Sequence, residues 1–316
     1  MKKAIFSTEI SILRSTMLRL LRRKAYSNIT KILRNTHQAD IALIMRSLNQ
    51  YDQKKIFSLC PTAVHKARLL EELDESLIGN VLENDSVKNI SKIFGYLDTN
   101  DQATIIGMFQ KRKQKEILKA IEHGDKEDVE EIMSYPDDSA GSIMTKETFT
   151  LNQNTTVKES IEKLQSFPEN DKIFYLYVLD NKEKLVGVVS LRTLVTSKNS
   201  KKLREVMIKD IQAATTSTDQ EEVAKKVAQY NYLALPIVNR QNRFLGIVTI
   251  DDVVDVIREE ASEDFLQMAG VGKDREILLK SPLENAKSRA PWILASLIGG
   301  ICAAAIISYF LSLIHI

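Results

Sequence analysis

Cysteine and histidine are scarce in this chain, and their scarcity removes several function classes at once. Two cysteines, Cys60 and Cys302, form neither a disulfide framework nor a thiolate metal site, which fits a reducing compartment. The four histidines, His37, His65, His123 and His315, are scattered with no metal-ligand spacing. There is no glycine-rich phosphate loop, metal triad or activated nucleophile, so no enzyme is expected. Met1–Ile12 lacks an apolar run followed by a cleavage site, so no secretory signal is expected. Acids are nearly missing from residues 1–36, which hold nine Lys/Arg against Glu9 alone. Charge of either sign is missing from Ala290 to Ile316.

What is present divides the 316 residues into stretches of different character, enough for two or three domains. Between Asp251 and Asp264 stand seven carboxylates (Asp251, Asp252, Asp255, Glu259, Glu260, Glu263, Asp264) and one cation, Arg258. On a helix Asp252, Asp255, Glu259 and Glu263 are spaced 3, 4 and 4 apart and share a face. Like charges at that spacing oppose the helix by a few tenths of a kcal/mol per pair. Either a hard oxygen-seeking cation offsets the repulsion, or the face is left in water. The order of aspartates is not that of a calcium loop.

The uncharged end supplies 24 mostly apolar residues in Pro291–Ile314, where about 20 suffice to cross a bilayer. Gly299, Gly300 and Ala303–Ala305 add the small surface that membrane helices pack through. Lys273, Arg275, Lys280, Lys287 and Arg289 precede the run, which by the positive-inside rule places residues 1–289 in the cytoplasm. At the other end, residues 8–36 read as one basic helix facing water, anionic lipid or nucleic acid. No aromatic interleaving supports nucleic acid, and no such partner is expected.

Two internal repeats organise the middle. Residues 37–134 read as helical throughout, and RSLNQYDQKKIFSLC, EELDESLIGNVLEN and GYLDTNDQATIIGMF repeat within them. Their leucines, Leu48, Leu73 and Leu97, stand 25 and 24 residues apart, which predicts helix pairs stacked as a small superhelix. Tyr135-Pro136 ends the last helix. Then 142–195 matches 205–256, pairing Met144 with Met207 and Gly187 with Gly246. Each copy reads as helix, two β-rich runs joined by a polar turn (NKEK, RQNR), and helix. Two such α/β units are expected to bury their sheets against one another.

The copy ends Gly187-Val-Val-Ser190-Leu-Arg-Thr193 and Gly246-Ile-Val-Thr249-Ile-Asp-Asp252 resemble those of paired CBS domains. The helical repeat, then YPDDSAGSIMT, TSTDQEEVA, TIDDVVDV, ASED and RAPW before the apolar run resembles the MgtE family of magnesium transporters over nearly the whole chain. The resemblance implies a multi-domain architecture: an all-α superhelical repeat domain, a tandem α/β CBS pair, a connecting helix and one transmembrane helix. The expected boundaries are a basic helix over 1–36, the helical repeat over 37–134, the CBS domains over 135–200 and 201–258, the connecting helix over 259–289 and the membrane helix over 290–316. Gly270, Gly272 and Ser281-Pro282 are expected breaks in the connecting helix.

The resemblance also implies a homodimeric, cytoplasmic sensor of Mg2+, in a cell-membrane protein that is multi-pass in full-length form. The ligands it implies are Asp252, Asp255, Glu260, Glu263, Asp264 and Glu221, with Asp101 from a looser match. Asn231 stands where the family pattern has an aspartate, which weakens that position by one charge. Some relatives bind an adenine nucleotide such as ATP, which here would fall to Tyr175, Tyr177, Arg192 and Asp252. Thr193 replaces the carboxylate that would hold the ribose in the first copy. The pore would belong to later membrane helices, making this a C-terminally truncated chain that senses and does not transport. The alternative is a membrane-tethered CBS regulatory protein that senses adenine nucleotides.

Overall fold

The computed structural model describes residues 2–121, 123–167, 173–268 and 282–314. The chain divides into two units, Met1–Ile250 and Asp251–Ile316. The first unit begins with α1 (Lys2–Arg22), α2 (Tyr26–Asn35), α3 (Gln38–Met45), α4 (Gln50–Ser58), α5 (Ala63–Leu70) and α6 (Glu75–Leu82). It continues with α7 (Val87–Phe94), α8 (Thr99–Gly107), α9 (Lys111–Ala120) and α10 (His123–Ile132). The single basic helix expected over 8–36 is two helices. Lys24, at φ 54°, adopts the left-handed conformation that ends α1, and the chain turns into α2.

The repeats stack as their periodicity predicts. Helices α3, α5, α7 and α9 pack in one row, and α4, α6, α8 and α10 in another. Leu48, Leu73 and Leu97 each lie in the break within a pair, one residue before the N-cap of the next helix. Buried glutamines seal two of those breaks. Gln53 and Gln102, each five residues after its leucine, donate to the carbonyls of Leu48 and Leu97 at 2.9 Å. A buried backbone acceptor is thereby satisfied where the helix ladder is interrupted.

The rest of the first unit is two copies of one α/β design. The first has β1 (Thr150–Asn152), α11 (Val157–Gln165), β2 (Tyr175–Leu179), β3 (Leu185–Ser190) and α12 (Leu191–Thr196), followed by α13 (Leu203–Val206). The second has β4 (Ala214–Thr215), α14 (Gln220–Tyr230), β5 (Ala234–Val238) and β6 (Phe244–Thr249). The sheets have the orders β1-β2-β3 and β4-β5-β6, each with a parallel and an antiparallel pair. Their register shifts fall at corresponding places, Val178/Leu179 and Ile237/Val238. The hairpin ends bond each other, Leu185 N–H to the Asn242 carbonyl and Phe244 N–H to the Glu183 carbonyl. Tyr177, Leu185, Ala234, Val238 and Ile247 form a core that draws on both sheets. Each sheet thus hides the apolar face that it cannot cover alone.

Helix α15 (Ile250–Met268) starts where β6 ends, and α16 (Pro282–Ile314) follows. Residues 269–281, with the breaks expected at Gly270, Gly272 and Ser281, lie outside the described residues. Pro282 begins α16, a position where its missing N–H has no helical partner to lose. The helix runs unbroken across position 290. Its stretch Ile293–Phe310 is long and apolar enough to cross a membrane, and none of it is buried inside the protein.

Candidate functional site

Helix α15 carries the acids. Asp251 and Asp252 occupy its first turn, where the exposed backbone N–H groups favour negative charge. Farther along that benefit fades, and Asp255, Glu259 and Glu263 continue the same stripe at i,i+4 spacing, where like charges repel. Asp255 and Glu259 are exposed, and Asp252 and Glu263 are half-buried. Arg258 reaches the Asp255 carboxylate at 3.2 Å, a pair too exposed to contribute more than a few tenths of a kcal/mol. Val253 and Val256 are buried. Glu260, seven residues after Val253, shares that buried face and is half-buried, so the acids occupy more than one side of the helix. The side chain of Asp264 lies outside the described residues.

The other expected metal ligands sit on different elements. Asp101 is half-buried in the first turn of α8. Glu221, in the first turn of α14, is exposed and bonded to Lys225 at 2.8 Å. Asn231 is exposed and caps α14 in the left-handed conformation, at φ 53° and ψ 42°. An asparagine tolerates that conformation well, which gives it a backbone role of its own. Among the described residues no group of three or more His, Cys, Asp or Glu is gathered closely enough to hold a metal ion.

The α/β pair contains a second geometry, in the two segments that enter its halves. Thr145 exchanges backbone hydrogen bonds with Ile247 of β6, and Ile208 does the same with Val188 of β3. The segment before each half therefore pairs with the sheet of the other. Close approach requires glycine at both crossings. A Cβ on Gly246 would lie 2.5 Å from the Thr145 carbonyl oxygen, and one on Gly187 would lie 2.2 Å from Met207 Sδ.

The next two residues of the first segment join it to the helical repeat. Lys146 Nζ bonds Asp128 of α10 at 2.8 Å and also the Glu131 carboxylate. The Glu147 carboxylate accepts from Thr99 Oγ1 at 3.1 Å, the first residue of α8, and from Thr145 Oγ1. Burial pushes the Glu147 carboxyl above its ordinary range, with the Asp98 charge adding to the effect and these hydrogen bonds opposing it. Sequence reasoning did not single out Thr99, Lys146 or Glu147. The signal that existed was the recurrence of Lys-acid after the paired methionines, Lys146-Glu147 and Lys209-Asp210.

The residues expected to hold a nucleotide are not all available. Tyr177 is a core residue, 2% exposed and stacked on Phe244 at 5.1 Å. Tyr175 is half-buried and Arg192 exposed. The Thr193 hydroxyl is 2.9 Å from Ser190 Oγ at the start of α12, and Asp252 belongs to the chain's second unit. The Tyr175 ring meets Tyr177 edge-on at 6.4 Å. The Tyr232 hydroxyl is pushed up by burial and by Tyr230, Asp210 and Tyr175. Tyr230 and Tyr232 stack at 5.5 Å, and Tyr230 and Leu233 are exposed.

Residues 36–138 match the family model for the MgtE intracellular N domain, and 140–199 and 203–259 match the CBS domain. The chain is 33% identical over 292 residues to the magnesium transporter MgtE of Bacillus subtilis, across 88% of this chain and 64% of that protein. It is 35% identical over 188 residues to the magnesium transporter MgtE of Enterococcus faecalis, across 59% of this chain and 41% of that one. It thus spans less than two-thirds of the length of either relative. Among solved structures, the cytosolic domain of the Mg2+ channel MgtE in complex with ATP superposes with a TM-score of 0.72 at 28% identity, covering 77% of this chain and 99% of that one. The soluble part of a magnesium transporter gives 0.69 at 24% identity over 80% of this chain and 99% of its own, a likeness of fold. With its helical repeat, its tandem α/β pair and these matches in the same order, the chain belongs to the MgtE family.

Proposed function

We propose that this chain is the cytoplasmic magnesium-sensing and gating region of a magnesium transporter or channel, acting as a homodimer whose acidic faces close when magnesium is abundant. The observation that carries the reading is the carboxylate stripe Asp252, Asp255, Glu259 and Glu263 on α15, in a segment whose sequence holds seven acids to one cation, in a chain of this family. Its donors are all oxygens, which suits a hard divalent ion. Magnesium keeps several waters and takes one or two carboxylates, about what neighbouring positions on one helix offer. The proposed ligands are Asp252, Asp255, Glu260, Glu263, Asp264, Glu221 and Asp101. When bound, the ion supplies positive charge between carboxylates that otherwise repel. Without it, like charges strain α15 and hold two copies apart, so the compact form is selected only in its presence. Residues 1–289 face the cytoplasm of a multi-pass membrane protein, and the chain carries out no catalytic reaction of its own.

The test is limited proteolysis of the full chain in millimolar magnesium and in chelator. Magnesium is expected to protect residues 1–289, and Asp252→Ala with Asp255→Ala to abolish that protection. Equal cleavage rates with ion and with chelator would end this reading. A second reading, binding of an adenine nucleotide such as ATP, draws on the half-buried Tyr175 and on the stacked rings of Tyr230 and Tyr232, the first of them exposed. It is separable by calorimetry with ATP in chelator, where Tyr232→Ala is expected to remove the heat of binding.

A further inference from the structure

Helix α1 lies ahead of residues 36–138, so the match to the N domain does not account for it. One face of α1 is anchored: Met17 is fully buried, Leu13 and Leu20 are half-buried, and the helix packs on α2 and α3. The opposite face repeats Ile12, Ser15, Arg19, Arg22 and Arg23 at helical spacing, and Ser15, Leu18, Arg19, Arg22 and Arg23 line a shallow open groove. The three arginines are exposed, and Ile12 is 60% exposed. Among the described residues no carboxylate forms an ion pair with Arg14, Arg19, Arg22 or Arg23. Arg19 repels Arg22 and Arg23 across one turn, so an anion bound there relieves strain already in the helix.

We propose that the arginine face of α1 docks on anionic phospholipid headgroups. Guanidinium groups bind phosphate through paired hydrogen bonds, and an exposed isoleucine among them adds the apolar contact of an interfacial helix. Nucleic acid fits less well, because residues 9–24 contain no aromatic side chain on which a base could stack. The choice of lipid rests also on the reading of α16 as a membrane span, which keeps a bilayer at high effective concentration.

The full chain, carried in nanodiscs of phosphatidylcholine, is mixed with sucrose-loaded vesicles and sedimented. It is expected to bind vesicles containing roughly a third phosphatidylglycerol and not pure phosphatidylcholine, and to release them in molar salt. Each cation near an anionic surface is worth about fivefold, so R19Q/R22Q/R23Q should weaken binding on the order of a hundredfold. R19K/R22K/R23K, which keeps the charge and loses the paired hydrogen bonds, should bind more weakly than the parent and far more tightly than the glutamine triple. The same charge removal on exposed residues of α9, K111Q/R112Q/K115Q, should leave binding intact. Equal loss from both glutamine triples would overturn the proposal, as would equal binding to neutral vesicles. Displacement by inorganic phosphate or a single-stranded RNA ahead of lipid would overturn it too. If the chain stays soluble without lipid, the span reading of α16 fails separately, and the vesicle arms run on the free chain decide α1 by the same outcomes.

Discussion

The first CBS domain is entered through Met144-Thr145-Lys146-Glu147 and the second through Met207-Ile208-Lys209-Asp210, two versions of one short motif. Each pairs with the opposite sheet through the same two hydrogen bonds and covers a glycine there. Their surroundings are opposite. Thr145 is 1% exposed, and Lys146 and Glu147 are tied to α10 and α8, whereas Ile208 is 60% exposed and Lys209 and Asp210 face water. A near twofold repeat has met a single helical domain, and only one of two equivalent faces is covered. The covered copy is built as a joint, and the other copy leaves Ile208, Lys209 and Asp210 exposed.

The sharpest way to break this comparison is at the glycines. Gly246→Ala drives a methyl into the backbone carbonyl of Thr145, which is held in a hydrogen-bonded bridge and cannot swing aside. Gly187→Ala meets Met207, whose Sδ and Cγ can turn away but whose Cβ, 2.8 Å off, must shift with its backbone. Denaturant unfolding should show a loss of about 3 kcal/mol for the first and about 2 kcal/mol for the second. Equal losses would mean that the crossings are packed alike. Next in size is the lysine pair. Lys146→Ala strands Asp128 and Glu131, whose side chains are 43% and 40% exposed, so water tempers the loss to about 1–2 kcal/mol. Lys209→Ala, on the exposed copy, should stay within about 0.5 kcal/mol.

The repeats, the element types and the acid stripe were legible because each is a local pattern: leucine spacing, paired strands with polar turns, carboxylates at helical intervals. What one position packs against is not local, and there the reading fell short. For Tyr177, strand aromatics in a cleft and in a core share one sequence pattern, and its burial against Phe244 of the partner sheet appears only in the fold. Residues 8–36 looked like one helix because Lys24 has nothing in its chemistry to announce a left-handed turn. Asp101 and Glu221 each lie in the first turn of a helix, α8 and α14, and which side chains face them there is set by tertiary packing that the sequence does not spell out.

The smallest expected effect tests the joint most directly, through Glu147. Burial raises its folded-state pKa, so the folded chain holds that proton more tightly than the unfolded chain does. Stability therefore falls as pH rises through the interval between the two values. The penalty is absent below the ordinary carboxylate range and complete above the raised one. Glu147→Gln keeps an acceptor for the Thr99 and Thr145 hydroxyls and removes the charge. At neutral pH it should stabilise the chain by less than about 1 kcal/mol, and the gain should vanish on acidification. Asp210→Asn, its counterpart on the open copy, should change stability at neutral pH by less than about 0.5 kcal/mol. A Glu147→Gln gain that persisted unchanged into acid would show that the carboxylate is ionised without penalty, and that the two entry segments differ in contacts but not in electrostatics.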